Sequence, residues 1–155
     1  MLRRLLVPTS ESPGRGRPVI TTTTSRPTGH PGYSETLPRE PESAGTARRL
    51  VRAACTAWGL ERLAQDCALV VSELVANAVR HARRESIRVV VERTAPSTVR
   101  VAVADFSRTV PTLCPPKDDE ENGRGLHLVT ALASNWGTDV RRWGKVVWAD
   151  LEERG

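Results

Sequence analysis

Leu69-Val-Val-Ser-Glu73-Leu-Val-Ala-Asn77-Ala-Val-Arg80-His81 decides how this chain folds. Cys67, Val70, Val71, Leu74 and Ala78 recur at helical spacing and form one apolar stripe. Glu73 and Asn77 stand four residues apart, and Arg80 and His81 follow one turn later. At 3.6 residues per turn these polar side chains stack along a narrow line. On a helical projection Asn77 and His81 fall beside or within the apolar stripe, and Glu73 lies at its edge. Burying an amide and a carboxylate costs several kcal/mol unless a partner satisfies them. A magnesium ion carrying phosphates is one such partner. A polar edge that is merely solvated is the plainer alternative.

Working outward, the upstream sequence supplies a short edge strand at residues 33–37, ended by Pro38. Pro41 then marks a helix start, with Glu40 and Glu42 suited to its positive end. Ala47, Leu50, Val51, Ala54, Cys55 and Trp58 continue at helical spacing, and Gly59 is a fitting stop. The quoted helix runs from Glu61 or Ala64 to Ala82. Downstream, residues 87–92 alternate as a strand, residues 94–97 turn, and residues 99–104 return antiparallel, ending in the carboxylate of Asp105. Residues 118–122 form an acidic loop, and Gly123-Arg124-Gly125 opens a third helix over residues 125–134. Residues 136–140 and 146–151 close a hairpin around Trp143-Gly144. Early helices and hairpin-paired strands predict an α+β two-layer sandwich: a mixed, mostly antiparallel sheet with three helices on one face.

Taken in order, Glu73-X-X-X-Asn77-Ala-X-X-His81, Asp105-Phe-Ser107 and Gly123-Arg124-Gly125-Leu126-X-Leu-Val129 resemble the N, G1 and G2 boxes of the ATPase superfamily that includes gyrase, histidine kinases and the anti-sigma-factor serine kinases. The likeness is greatest to the short single-domain actinobacterial form of the last group, and spans about residues 33–152. The Gly-X-Gly alone is a weak signal; the ordered set is specific. The resemblance implies ATP and Mg²⁺ as cofactors, with Asn77 lending a hard oxygen ligand to the metal. It makes Glu73 the general base for a substrate hydroxyl, and Arg80 and His81 phosphate contacts. Asp105 accepts from the exocyclic amine of adenine. Gly123, Arg124, Gly125 and Leu126 belong to the phosphate-facing helix start, with Arg124 adding a charge-assisted contact.

One box departs from the pattern. The usual Asp-X-Gly-X-Gly reads Asp105-Phe-Ser107-Arg-Thr109 here, so backbone approach to the base is restricted, and the Ser107 hydroxyl is the substitute contact. Residues 111–122 stand where relatives carry a lid, and their acidity predicts that they point to solvent. Val146 stands where relatives often carry a threonine near the adenine. The implied activity is that of a protein serine/threonine kinase acting on an anti-sigma-factor antagonist, with a sigma factor as a further partner and room for a homodimer. A non-catalytic nucleotide-binding interaction module is the alternative reading.

Bulk properties bound these expectations. At 155 residues the chain is one domain, residues 32–153, behind a tail, residues 1–31, rich in Pro, Thr, Ser, Gly and Arg and expected to be disordered. No apolar run is long enough to span a membrane. Cys55, Cys67 and Cys114 make no Cys-X-X-Cys pair, which predicts a reducing cytoplasm rather than a zinc site. Cys55 and Cys67 read as small core residues. The net charge is +5, and six Arg against three Glu in residues 1–40 carry much of it. The domain is nearly balanced, which argues against direct nucleic-acid binding. Trp148 reads as core, and Trp143 as an exposed hairpin tip.

Overall fold

Alternation along the strands sorts the sheet into a buried face and an open one. The computed structural model describes residues 20–23, 30–81, 84–106 and 120–153, with residues 20–23 and 120–124 described by their backbone course. In chain order the elements are β1 (Ile20–Thr23), β2 (Gly32–Pro38), α1 (Ser43–Ala57), α2 (Glu61–His81), β3 (Ser86–Ala95), β4 (Thr98–Asp105), α3 (Glu120–Leu132), β5 (Asn135–Arg141) and β6 (Gly144–Glu152). They build a six-stranded sheet in the order β1-β2-β3-β4-β6-β5. Every pairing among the described residues is antiparallel, in keeping with the mostly antiparallel sheet expected.

Register places Leu37 beside Ile87, Val91 beside Val101, Val101 beside Ala149 and Val103 beside Val147. All are buried and belong to one hydrophobic core with the inner sides of α1 and α2. The α2 stripe read from the sequence is buried throughout: Cys67, Val70, Val71, Leu74 and Ala78. In-phase positions of the other face are mostly polar or half-covered, Ala102 being a buried apolar one. There the Arg100 guanidinium pairs both nitrogens with Asp150, at 2.7 and 3.0 Å, and lies 4.0 Å over the Trp148 ring. The Asp150 hydrogen bond raises the Arg100 pKa above its ordinary value. Trp148 is therefore a half-buried residue of the open face, not of the core. Its strand phase opposes that of Val147 and Ala149, and Gly137 leaves room for the ring.

Helix ends follow local chemistry. After α1, the Leu60 N–H donates to the Cys55 carbonyl and the Gly59 N–H to that of Thr56. Gly59 has φ +73°, completing a Schellman motif that only glycine forms without strain. Cys55 and Cys67 meet between α1 and α2, both fully buried. A hydrogen bond to Cys55, reinforced by burial, pushes the Cys67 thiol above its ordinary range, which suits the core role. Cys114 lies outside the described residues.

Two boundaries differ from expectation. Within the stretch expected to be disordered, Ile20–Thr23 forms β1 on the edge of β2, from Ile20↔Glu35 to Thr23↔Gly32. β-Branched residues suit an extended edge, and β2 supplies backbone partners that composition alone does not reveal. Residues 1–19 and 24–29 lie outside the described set. At the other site, α3 begins at Glu120, so the expected acidic loop overlaps its first turn.

The junction of β4 and β6 has no slack. A Cβ at Gly144 would collide with the Asp105 carbonyl oxygen and lie 2.7 Å from the Phe106 Cα. Both are backbone atoms. Gly144→Ala is therefore expected to cost about 1–3 kcal/mol, as overpacking does. At Gly45, on α1, the nearest atom is 3.7 Å away, so Gly45→Ala serves as the control and leaves stability equal or higher. Denaturant unfolding of both variants checks this, and equal midpoints would contradict it.

Candidate functional site

The polar edge of α2 is built from residues that the core does not absorb. Glu73, Asn77 and His81 are half-buried, and Arg80, farther round the helix, is exposed. Neither the Glu73 nor the Asn77 side chain hydrogen-bonds to another described residue, whereas His81 does have an interaction partner. The helix itself is held firmly. Arg48 of α1 donates to the Ser72 hydroxyl at 2.8 Å, next to Glu73. At its C-terminal end, Arg39 donates to the Val79 carbonyl at 3.0 Å and to that of Arg84 at 2.8 Å. A cation there complements the helix dipole and occupies carbonyls that the last turn leaves open.

α3 faces this edge through a glycine. A Cβ on Gly125 would fall 2.5 Å from Glu73 Oε1, so the α3 backbone approaches the carboxylate more closely than any other residue permits. Leu126 and Val129 then turn into the interior. The sequence reading began the helix at Gly125, with Gly123 in the turn before it; both lie inside α3, which begins at Glu120. The amides at its start are therefore those of residues from Glu120 onward. The side chain of Arg124, and Ser107, lie outside the described residues, as does most of the expected lid.

Asp105 ends β4 on the helix-covered face, in phase with Val101 and Val103. Directly across β6 stands Lys145. Its ammonium donates to Asp105 Oδ1 at 3.1 Å, and each side chain is only 2% exposed. The register also corrects the reading of Val146. That residue pairs with Ala104, half-buried on the open face, so Lys145 and not Val146 shares the face of Asp105. Sequence reasoning passed over Lys145. Its signal was phase: a charged residue alternating with Val147, Ala149 and Leu151.

Beyond Asp105 the chain reaches the surface. Phe106 and Trp143 are 38% and 47% exposed, with ring centroids 5.8 Å apart. The Arg84 guanidinium lies 5.5 Å over Phe106. Among the described residues no group of three or more His, Cys, Asp and Glu can hold a metal ion by itself. A metal bound at Asn77 would thus need ligand oxygens from elsewhere. The donor set fits that: a single amide oxygen on a half-buried edge, with no other described side chain hydrogen-bonded to it.

A profile of the histidine kinase-like ATPase domain matches residues 37–150. The chain belongs to that family, and its fold is the α+β sandwich of the histidine kinase type. Among solved structures, the histidine kinase domain of the Erythrobacter litoralis EL346 blue-light activated histidine kinase is similar at 22% identity and a TM-score of 0.44. The match covers 75% of this chain and 61% of that one. No curated protein matches the chain. No helix among the described residues is long and apolar enough to cross a membrane.

Removing one member of the buried pair strands the other. Asp105→Ala is expected to cost about 3–5 kcal/mol, because it leaves the Lys145 ammonium buried without its carboxylate. Replacing both, Asp105→Leu with Lys145→Met, is expected to recover most of that loss. Melting curves of the single and double variants measure it, and a double variant no more stable than the single would contradict the assignment.

Proposed function

We propose that this chain is an ATP-binding, magnesium-dependent serine/threonine kinase of the anti-sigma-factor type. It phosphorylates a small anti-sigma-factor antagonist on Ser or Thr, holds a sigma factor inactive and works in the cytoplasm. The observation that carries this reading is the pairing of Glu73 and Asn77 one turn apart on a half-buried edge, with the Gly125 backbone packed against the carboxylate.

Each residue has a distinct task in this reading. Asn77 offers its amide oxygen to the metal. Glu73 accepts the proton of the attacking hydroxyl, and its place between α2 and α3 keeps it from swinging out to solvent. His81, and Arg80 from the exposed side, contact phosphate oxygens. Asp105 accepts from the adenine amine. Bound ATP and magnesium supply the phosphoryl group and the charge neutralisation that phosphoryl transfer requires. Gly125 and Leu126 bring α3 onto the site.

A second reading is favoured by the missing glycines after Asp105. Without them the backbone cannot approach the base as closely, and the domain would bind nucleotide and partner without transferring phosphate.

Two substitutions separate these possibilities. Asn77→Ala is expected to abolish magnesium-dependent ATP binding with the fold intact, as titration calorimetry and circular dichroism would show; unchanged ATP affinity in magnesium removes Asn77 from the site. Glu73→Gln keeps size but removes basicity. It is expected to hold ATP within a few-fold while losing about 10²–10⁴-fold of phosphoryl transfer. Transfer at the wild-type rate would exclude Glu73 as the base. A wild-type chain that binds ATP and a sigma factor but never phosphorylates an antagonist supports the second reading.

A further inference from the structure

We propose that the outer edge of β5 is a self-association site: it pairs antiparallel with β5 of a second copy of this chain, about a twofold axis at Val140. The inference goes beyond the nucleotide reading and does not depend on it.

Three observations carry it. First, β5 ends the sheet order, and its outer side pairs with no strand among the described residues. Such edges are ordinarily blunted by a bulge, a proline or charges that repel a second strand. β5 contains no proline, and its register with β6 runs unbroken from Asn135↔Asp150 to Arg141↔Gly144. Second, the edge exposes an apolar side chain. Val140 is 45% exposed and stands between Asp139 and Arg141. Third, those two charges are opposite in sign and share a face, 3.7 Å apart and each about half exposed. Toward β6 they pair with Val146 and Gly144, neither of them charged. Asp139 and Arg141 therefore do not repel a second β5; they complement it.

Backbone parity and charge together choose the register. Two residues, Arg142 and Trp143, join β5 to β6, and a two-residue hairpin loop closes on a hydrogen-bonded pair, here Arg141 with Gly144. Pairs alternate from there, so Val140 and Thr138 aim their N–H and C=O groups away from β6. A twofold axis at Asp139 would set two carboxylates against each other, and one at Thr138 would set Asp139 against Gly137. An axis at Val140 sets Asp139 opposite Arg141 of the second copy, twice. Val140 then meets its own counterpart as a hydrogen-bonded pair. The two charge pairs fall at the non-hydrogen-bonded positions, where side chains lie closest. Each charge gains one opposite neighbour across the strands beside the one along its own strand. This is the self-complementary patch that a closed dimer needs. Paired residues share a face, so the helix layers of both copies lie on one side of a continuous sheet. The row through the axis runs from Asp105 to Lys145 to Val140 and out again, which sets the two Asp105 positions about 24 Å apart at ordinary strand spacing.

Sedimentation of the full chain, from micromolar to millimolar concentration, tests this. The ladder is shorter than a permanent interface requires, so wild type is expected to show a concentration-dependent monomer–dimer equilibrium. Asp139→Arg and Arg141→Asp each place like charges opposite one another at both positions, and each is expected to weaken the dimer about tenfold or more. Mixed in equal amounts, the two variants restore opposite charges at both positions and are expected to associate about as tightly as wild type. Val140→Lys, which brings two ammonium groups to the axis, is expected to weaken the dimer likewise and serves if either charge reversal does not fold. Wild type that stays monomeric throughout would overturn the proposal. A dimer of unchanged strength in any of the folded variants, or a mixture that does not recover, overturns it too and assigns association to another surface.

Discussion

The antiparallel pairing of β4 with β6 is the constraint on which the rest of the molecule depends. β4 and β6 lie side by side within the sheet, and their register runs without a shift from Thr98↔Glu152 to Asp105↔Lys145. Along most of its length this pairing stacks apolar side chains under α2. At its last step the same phase delivers a carboxylate and an ammonium into the covered layer. A slip of β6 by one residue would send Lys145 to the open face, away from Asp105, and turn Val147, Ala149 and Leu151 out of the core. The core and the candidate site are thus set by one register, and Gly144 locks its end by admitting the Asp105 backbone.

The helices complete what the strands begin. α2 buries one stripe and leaves Glu73, Asn77 and His81 at the margin, where side chains are partly shielded yet not consumed by packing. α3 meets that margin through Gly125, so the approach of a helix backbone to a carboxylate follows from a missing side chain. Arg39 and Arg48 fasten α2 at its end and middle, using carbonyl and hydroxyl partners rather than the site's own groups. Rigid support of this kind suits a site that must hold its groups at set positions before a ligand arrives.

Much of this was legible in the residues because hydrophobic phase survives into the structure. The stripe of α2, the stop at Gly59, the return of β4 and the final hairpin all follow from spacing and turn chemistry. What was not legible depended on contacts between distant segments. β1 exists because β2 offers it an edge, which its Thr-rich composition does not announce. Trp148 was assigned to the core by residue type; the strand's alternation sends it to the open face, where Arg100 and Gly137 receive it. Val146 was placed beside Asp105 by likeness to relatives, but only the β4–β6 register shows which of two adjacent residues shares the face. Gly123-Arg-Gly125 suggested a helix opening at Gly125, while the helix extends back to Glu120.

The central claim is that nucleotide binds on the helix-covered side of this sheet, between the edge of α2, the end of β4 and the start of β6. Amide chemical-shift mapping of the isotope-labelled full chain, titrated with ATP and magnesium, tests it most directly. The account predicts saturable shifts gathered at residues 73–81, 105–106, 125–129 and 144–146, and their disappearance when magnesium is chelated. Shifts confined to open-face residues such as Arg100, Trp148 and Asp150, or no saturable shift at all, would contradict it.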